Sequence, residues 1–304
     1  MLTIKDKTIL EYLYQNCRIS TKKISQLSGI PQQTVAYRIK KLESEKLIFR
    51  YDILPNFSLL PVQLWLHFIH CPNQHKEKTI EKLKAIPQTY TIFETIDYHN
   101  IILIEITAKN TDSVIAQLPL KCKTKKIKSL FKLNYSIFLP SNYSLPKQKT
   151  RAISLDKIDY ELIDYLSFGG GRTPLVQIAK DLNSTFNIIS YRFKRLEKNG
   201  YFFMPIVQPS NSLFSVQPDF IYFTTKNIST DNVLALCKQH PNIPYILALE
   251  NGYLMQILSN SFEEFSKKTK QVLNILENYL VTFKVIKHEQ SILLNRLNLS
   301  KILK

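Results

Sequence analysis

One phrase is written twice in this chain. Tyr-Arg-Ile-Lys-Lys-Leu-Glu runs from Tyr37 to Glu43, and Tyr-Arg-Phe-Lys-Arg-Leu-Glu runs from Tyr191 to Glu197, 154 positions later. In a chain of 304 residues, that offset means two copies of one unit laid end to end. A fold must therefore be built from the unit, since repeats set the architecture before any single element does. Each copy of the phrase is a basic helix with one apolar stripe, preceded by a shorter helix and a turn. That is the pattern of a helix-turn-helix reader of DNA.

In the first copy, Asp6 is placed to cap a helix that buries Ile9, Leu10 and Leu13. Ser20 opens a second helix carrying Ile24 and Leu27, and Gly29 stops it. Pro31 suits the first position of a third helix, where its missing N–H costs nothing. On that helix Val35, Ile39 and Leu42 recur at spacings of four and three and form the buried seam. The remaining positions are polar and basic. Gln32, Gln33, Thr34, Tyr37 and Arg38 can reach base edges, while Lys22, Lys40 and Lys41 suit phosphates. Lys46 to Tyr51 follows at once and reads as the hairpin wing of a winged helix, with Arg50 at the DNA backbone.

The second copy aligns with one extra residue. Asp159, Leu162, Ile163 and Leu166 match Asp6, Ile9, Leu10 and Leu13, and the insertion falls at Phe168 to Gly171, read as a flexible turn. The seam is kept as Ile189, Phe193 and Leu196. The reading face is kept only in part. Gln32, Gln33 and Thr34 become Phe186, Asn187 and Ile188, while Tyr191, Arg192, Lys194 and Arg195 remain. Either the second reader recognises a different half-site, or it has become a module for gripping backbone or for packing.

After each reader the pattern changes. Val62–Ile69, Thr89–Ile96, Ile101–Thr107 and Ile127–Phe138 are strand-like, with helical stretches at Lys76–Ile86 and Asp112–Leu118. The order is β-α-β-β-α-β, that of a ferredoxin-like domain. It recurs over 219–288, with Asn251-Gly252 as a hairpin turn signal. The fold class expected is α+β: two winged helix-turn-helix domains alternating with two ferredoxin-like domains. The expected boundaries are 1–56 and 61–140 for the first pair, 141–154 for a linker, 155–210 and 216–290 for the second pair, and 291–304 for a Leu-rich tail.

The net charge is +17, and polyanions are the natural partners of such a surplus because each contact releases a condensed counterion. The competing source is a composition simply rich in Lys, Ile and Asn. Residues 1–150 hold 23 Lys/Arg against 11 Asp/Glu, so the first half is expected to supply more of the attraction. The densest run, Lys121 to Lys128, reads as a solvated loop or an outlying phosphate grip. Cys17, Cys71, Cys122 and Cys237 are scattered without metal spacing and are expected to be reduced thiols. His67 and His70 fall on opposite faces of a strand, so no metal site is expected near Cys71. No phosphate loop, hydrolase elbow or metalloprotease helix is visible, so no catalytic residue and no cofactor is expected. With no apolar leader and no span-length apolar run, the expectation is a cytoplasmic protein without membrane contact.

The residues Asp6, Ile9-Leu10, Leu13, Asn16-Cys17-Arg18, Ile24, Gly29-Ile30 and Thr34 to Glu43, with Ile48 and Tyr51 in the wing, resemble the Lrp/AsnC (feast/famine) family of archaeal and bacterial transcriptional regulators. The resemblance implies double-stranded DNA as partner. It also implies that the two sheet domains pair within one polypeptide, giving an intramolecular pseudo-dimer of readers, with further self-association through the sheets. It implies a small-molecule effector, an amino acid, at the turn between the second and third strands, where the family carries a Gly-x-Tyr-Asp-like pattern. Gly252 and Tyr253 are the matching residues, but Leu254 follows them in place of the Asp, and Asp97-Tyr98-His99-Asn100 lacks the Gly. Two rivals share the evidence. One is an enzyme resembling the sirohaem decarboxylases, with His99 and Tyr98 as the suitable groups. The other is a chromatin-like binder held by charge alone.

Overall fold

A computed structural model of the chain describes residues 2–96, 100–108, 113–135, 150–209, 217–238, 245–259, 261–294 and 299–303. Asp97, Tyr98 and His99 lie outside the described residues, as do 141–149 of the expected linker. The first copy contains α1 (Ile4–Gln15), α2 (Thr21–Ser28), α3 (Gln32–Ser44), β1 (Ile48–Pro55), β2 (Gln63–His70), α4 (Asn73–Lys84), β3 (Thr89–Thr95), β4 (Ile101–Thr107), α5 (Ser113–Gln117) and β5 (Lys123–Tyr135). The second contains α6 (Lys157–Leu166), α7 (Leu175–Asp181), α8 (Phe186–Lys198), β6 (Phe202–Pro209), β7 (Gln217–Thr225), α9 (Thr230–Lys238), β8 (Tyr245–Leu249), β9 (Gly252–Ser259), α10 (Phe262–Leu276), β10 (Leu280–Ile286), β11 (His288–Leu294) and α11 (Leu299–Ile302). The β-α-β-β-α-β order holds in both copies. The chain folds as two compact units, Met1–Leu60 with Phe138–Phe214 and Pro61–Ile137 with Ser215–Lys304. Each unit joins like parts of the two copies.

In the first unit, α1 and α6 both begin on a capping box. Thr3 accepts from the Asp6 N–H while the Asp6 carboxylate accepts from the Thr3 N–H, and Asp156 with Asp159 repeats the device. Asp6 is thus not the cap but its answering residue, because a threonine hydroxyl reaches the amide three residues on and only an acceptor there can reply. Gly29 ends α2 at φ 71°, a left-handed conformation that suits glycine. Pro31 sits at the N-cap of α3, one residue before the place expected for it. The seam residues Val35, Ile39 and Leu42 are buried, as are Ile189, Phe193 and Leu196.

The wing is the clearest departure. β1 does not fold back on itself as a hairpin. It pairs antiparallel with β6 of the second copy, from Ile48 opposite Pro209 to Pro55 opposite Phe202. Past Pro55 the chain enters a single 3-10 turn at Phe57–Leu59, so no return strand is at hand. The backbone groups of β1 find their partners in the other copy instead.

The second unit is one nine-stranded sheet in the order β10-β7-β9-β8-β5-β2-β4-β3-β11. The last strand of each copy begins at home and ends in the other copy. β5 pairs with β2 over Lys123–Lys128 and then with β8 from Ser129 to Tyr135. β10 pairs with β7, and after Lys287 the chain continues as β11 along β3 of the first copy. The tail expected from 291 is therefore strand at its start. α4 covers one core with Ile80 and Leu83 over Ile69, Ile101 and Leu103, and α10 covers the other with Phe265 and Val272 over Phe223 and Met255. Phe68 meets Tyr222 edge-on at 5.6 Å and Phe93 meets Phe220 at 5.1 Å, so aromatic rings of the two copies touch. No helix among the described residues is long and apolar enough to cross a membrane.

Candidate nucleic-acid interface

At 3.6 residues per turn, the positions opposite the Val35–Ile39–Leu42 seam are Gln33, Tyr37 and Lys40. All three are exposed, Tyr37 by 65%. Gln32 and Lys22 are exposed on the flank where α3 meets α2, and the Gln32 Nε2 lies 3.5 Å from the Thr21 Oγ1. Thr34 is half-buried on the other flank, and Lys41 is exposed and 3.7 Å from Glu45.

Two arginines expected at the DNA are held by the protein itself. Arg38 Nη1 donates to Thr3 Oγ1 at 2.8 Å and to Asp6 at 3.0 Å. Burial raises the Asp6 carboxyl, but the hydrogen bonds from Thr3 and Arg38 outweigh it and leave the group below its ordinary value. Arg50 donates from Nε to Asp52 at 2.8 Å and lies over the Phe168 ring at 4.1 Å. Arg38 pins the recognition helix to the start of α1, and Arg50 binds the first copy to the second.

The second copy repeats the device. Arg192 reaches Asp156 at 2.7 Å and Asp159 at 2.9 Å, and Arg195 reaches Asp159 at 3.2 Å and the Ser154 carbonyl at 2.6 Å. Residues 151–154, read as linker, are thereby docked, with the Arg151 N–H on the Asn199 carbonyl and the Ile153 N–H on the Tyr201 hydroxyl. Asn187, Tyr191 and Lys194 stand exposed opposite the seam, as Gln33, Tyr37 and Lys40 do, and Tyr191 is 64% exposed.

The two copies are locked together by two arginines to which the sequence assigns no role of their own. Arg18 Nη1 donates to the Gly171 carbonyl at 2.8 Å, and Arg172 Nη1 donates to the Cys17 carbonyl at 2.6 Å. Both pairs are related by the repeat offset, so the contact is reciprocal, as across a two-fold interface. Asp52 is buried and accepts from Arg50 and from the Gly169 N–H at 2.7 Å. The turn at Phe168–Gly171 is thus packed. Gly169 has φ 82°, and a Cβ at Gly171 would fall 2.8 Å from the Tyr51 carbonyl, too close for any side chain. The available signal was the offset itself, since Arg18 and Arg172 stand 154 positions apart.

The remaining candidates take structural places. Tyr253 is buried, stacked on Phe223 at 5.0 Å with its hydroxyl 3.5 Å from Thr230, and Gly252 is tight against the Phe223 carbonyl. The basic run belongs to β5 rather than to a loop, with Lys126 over the Trp65 ring at 4.4 Å and Lys125 over Tyr222 at 5.4 Å. His67 faces Glu105 at 2.9 Å, both fully buried. Cys71 and Cys122 lie 2.7 Å apart as free thiols, and burial pushes Cys122 up to about 12. No group of three His, Cys, Asp or Glu placed to hold a metal ion occurs among the described residues.

Known proteins share parts of this sequence and its fold. Residues 2–48 match the winged helix-turn-helix DNA-binding family. An uncharacterized HTH-type transcriptional regulator of Pyrococcus furiosus is 29% identical over 118 residues, covering 38% of this chain and 78% of that protein. The HTH-type transcriptional regulator FL11 of the same organism is 23% identical over 110 residues, covering 36% of this chain and 72% of that protein. Among solved structures, the siroheme decarboxylase NirDL shares the fold over nearly the whole length, at TM-score 0.65 and 11% identity, covering 97% of this chain and 95% of that one. Residues 2–48 are thus similar to a winged helix-turn-helix DNA-binding domain, and the helical unit and the β-α-β-β-α-β unit each occur twice in one polypeptide.

Proposed function

We propose that the chain is a sequence-specific, double-stranded DNA-binding transcriptional regulator, read mainly by α3. The observation that carries this is the exposed line Gln33–Tyr37–Lys40 opposite a buried seam, on a helix held in place by Arg38. Gln33, with Gln32 and Thr34 beside it, supplies the amide and hydroxyl groups that recognise base edges. Lys22, Lys40 and Lys41 serve phosphates. Arg38 and Arg50 act through the positions of α3 and β1 instead. In the second copy Asn187, Tyr191 and Lys194 take the corresponding places, and Arg192 and Arg195 hold α8 as Arg38 holds α3. An effector acting through Tyr253 would have to displace its ring from the stack on Phe223, so the regulator reading does not depend on one.

The test is a duplex selected from random sequence by the full chain. Tyr37→Ala and Gln33→Ala should each weaken that duplex by about 1–3 kcal/mol while leaving random DNA nearly unchanged. Lys40→Ala should weaken both alike and lower the salt dependence by about one ion. Equal loss for every variant on every duplex would leave only charge-driven binding. The shared architecture with NirDL supports a second reading, tetrapyrrole decarboxylation. A purified protein that takes up sirohaem, with its visible absorption, and shifts no DNA would favour that reading.

A further inference from the structure

Among the residues proposed to meet DNA in the first copy, three have apolar counterparts in the second. Lys22 corresponds to Val176, Gln32 to Phe186 and Thr34 to Ile188. Val176 is 52% exposed, Phe186 50% and Ile188 41%. Val176 stands in the first turn of α7, and Phe186 and Ile188 in the first turn of α8. Phe186 and Ile188 hold the N-terminal positions that approach base edges when such a helix enters a major groove, while Val176 stands where the first copy offers Lys22 to phosphate.

What stayed the same is equally informative. Tyr191 is as exposed as Tyr37, Lys194 is exposed like Lys40, and α8 carries Arg192, Lys194, Arg195 and Lys198 against the single carboxylate Glu197. Thr185 caps α8 by accepting from the Ile188 N–H, and no acidic residue stands in the first turn. Arg192 and Arg195 hold α8 to Asp156 and Asp159, whereas Tyr191 and Lys194 stand exposed opposite the seam, where a polyanion would meet them. The partner that fits is one with phosphates along its rim and apolar groups on its floor. In a major groove the apolar group is the C5 methyl of thymine.

We propose that the second reader recognises a thymine-rich half-site through methyl contacts of Phe186 and Ile188. The first reader recognises a half-site of different sequence through Gln32 and Gln33. This rests on the regulator reading and adds its specificity. The operator is then asymmetric, with one half read by hydrogen bonds and the other by apolar contact.

The experiment uses the full chain and the duplex it selects from random sequence. Deoxyuridine replaces thymidine separately in each half of the footprint, which removes the methyls and leaves pairing intact. In the half covered by α8, each contacted thymine should contribute about fourfold in affinity, the worth of one buried methyl group. The variant Phe186→Gln with Ile188→Thr, which installs the residues of the first reader at exposed sites, should abolish that penalty. It should leave the uracil response of the other half unchanged. Tight binding of the selected duplex with no uracil penalty in either half would overturn the methyl contacts while leaving the regulator reading intact. Absence of any selected duplex would remove both. A variant that changes the sedimentation of the protein without changing its DNA affinity would reassign the patch to a protein partner and overturn the proposal.

Discussion

Arg38 and Tyr37 are neighbours with opposite duties, and the seam decides which is which. Arg38 follows Val35 by three and precedes Leu42 by four, so it lies beside the buried stripe, where Asp6 meets it at 3.0 Å. Tyr37 points away from that stripe. Arg38→Ala should therefore lower the stability of the first unit by about 1–2 kcal/mol, the worth of a largely buried charged hydrogen bond. Its affinity for selected and random DNA should fall in parallel. Denaturant titration alongside gel shifts checks both, and a loss confined to the selected duplex would return Arg38 to the bases. Asp6 adds a pH dependence. Its carboxyl sits below the ordinary value in the folded protein, so the stability it contributes is complete above about pH 4 and is lost as pH falls through the folded value. Thermal melts from pH 7 down to pH 3 should show a steeper decline for the native chain than for Asp6→Asn. Equal slopes would remove Asp6 from the acid response.

Among the elements, helices with a 3.6-residue stripe were legible and the partners of strands were not. Val35, Ile39 and Leu42 declared α3 because the spacing that buries them is local. β1 carries the same kind of apolar run whether its partner is three residues away or one hundred and fifty, so its pairing with β6 left no mark within its own sequence. Single side chains were harder to place, since Arg38 reads as a base contact and Arg50 as a contact to the DNA backbone until Asp6 and Asp52 are set beside them. The glycines at 169–171 were misread for a related reason. A run of glycine marks flexibility or close approach alike, and only the Tyr51 carbonyl distinguishes the two. Gly171→Ala should cost about 1–3 kcal/mol, as expected for a Cβ forced against backbone, and calorimetry of the full chain measures it. An unchanged melting temperature would mean that the two readers yield at this contact.

At the scale of the molecule, β11 is the outer strand on one side of the second unit's sheet. β11 covers the outer edge of β3, an edge that would otherwise present unpaired amides and carbonyls. Truncation after Lys287 should expose it and turn a dispersed protein into an aggregating or concentration-dependent one, visible by light scattering behind a sizing column. A truncated chain that stays dispersed and melts unchanged would show that the strand is dispensable. The reciprocal grip of Arg18 on Gly171 and of Arg172 on Cys17 has one more consequence. In a protein built from identical subunits, every mutation strikes both halves at once, and dilution can separate them. Here the halves are encoded apart yet travel as one body. Selection is free to alter either recognition surface alone, and the assembled pair is present even at a single copy per cell.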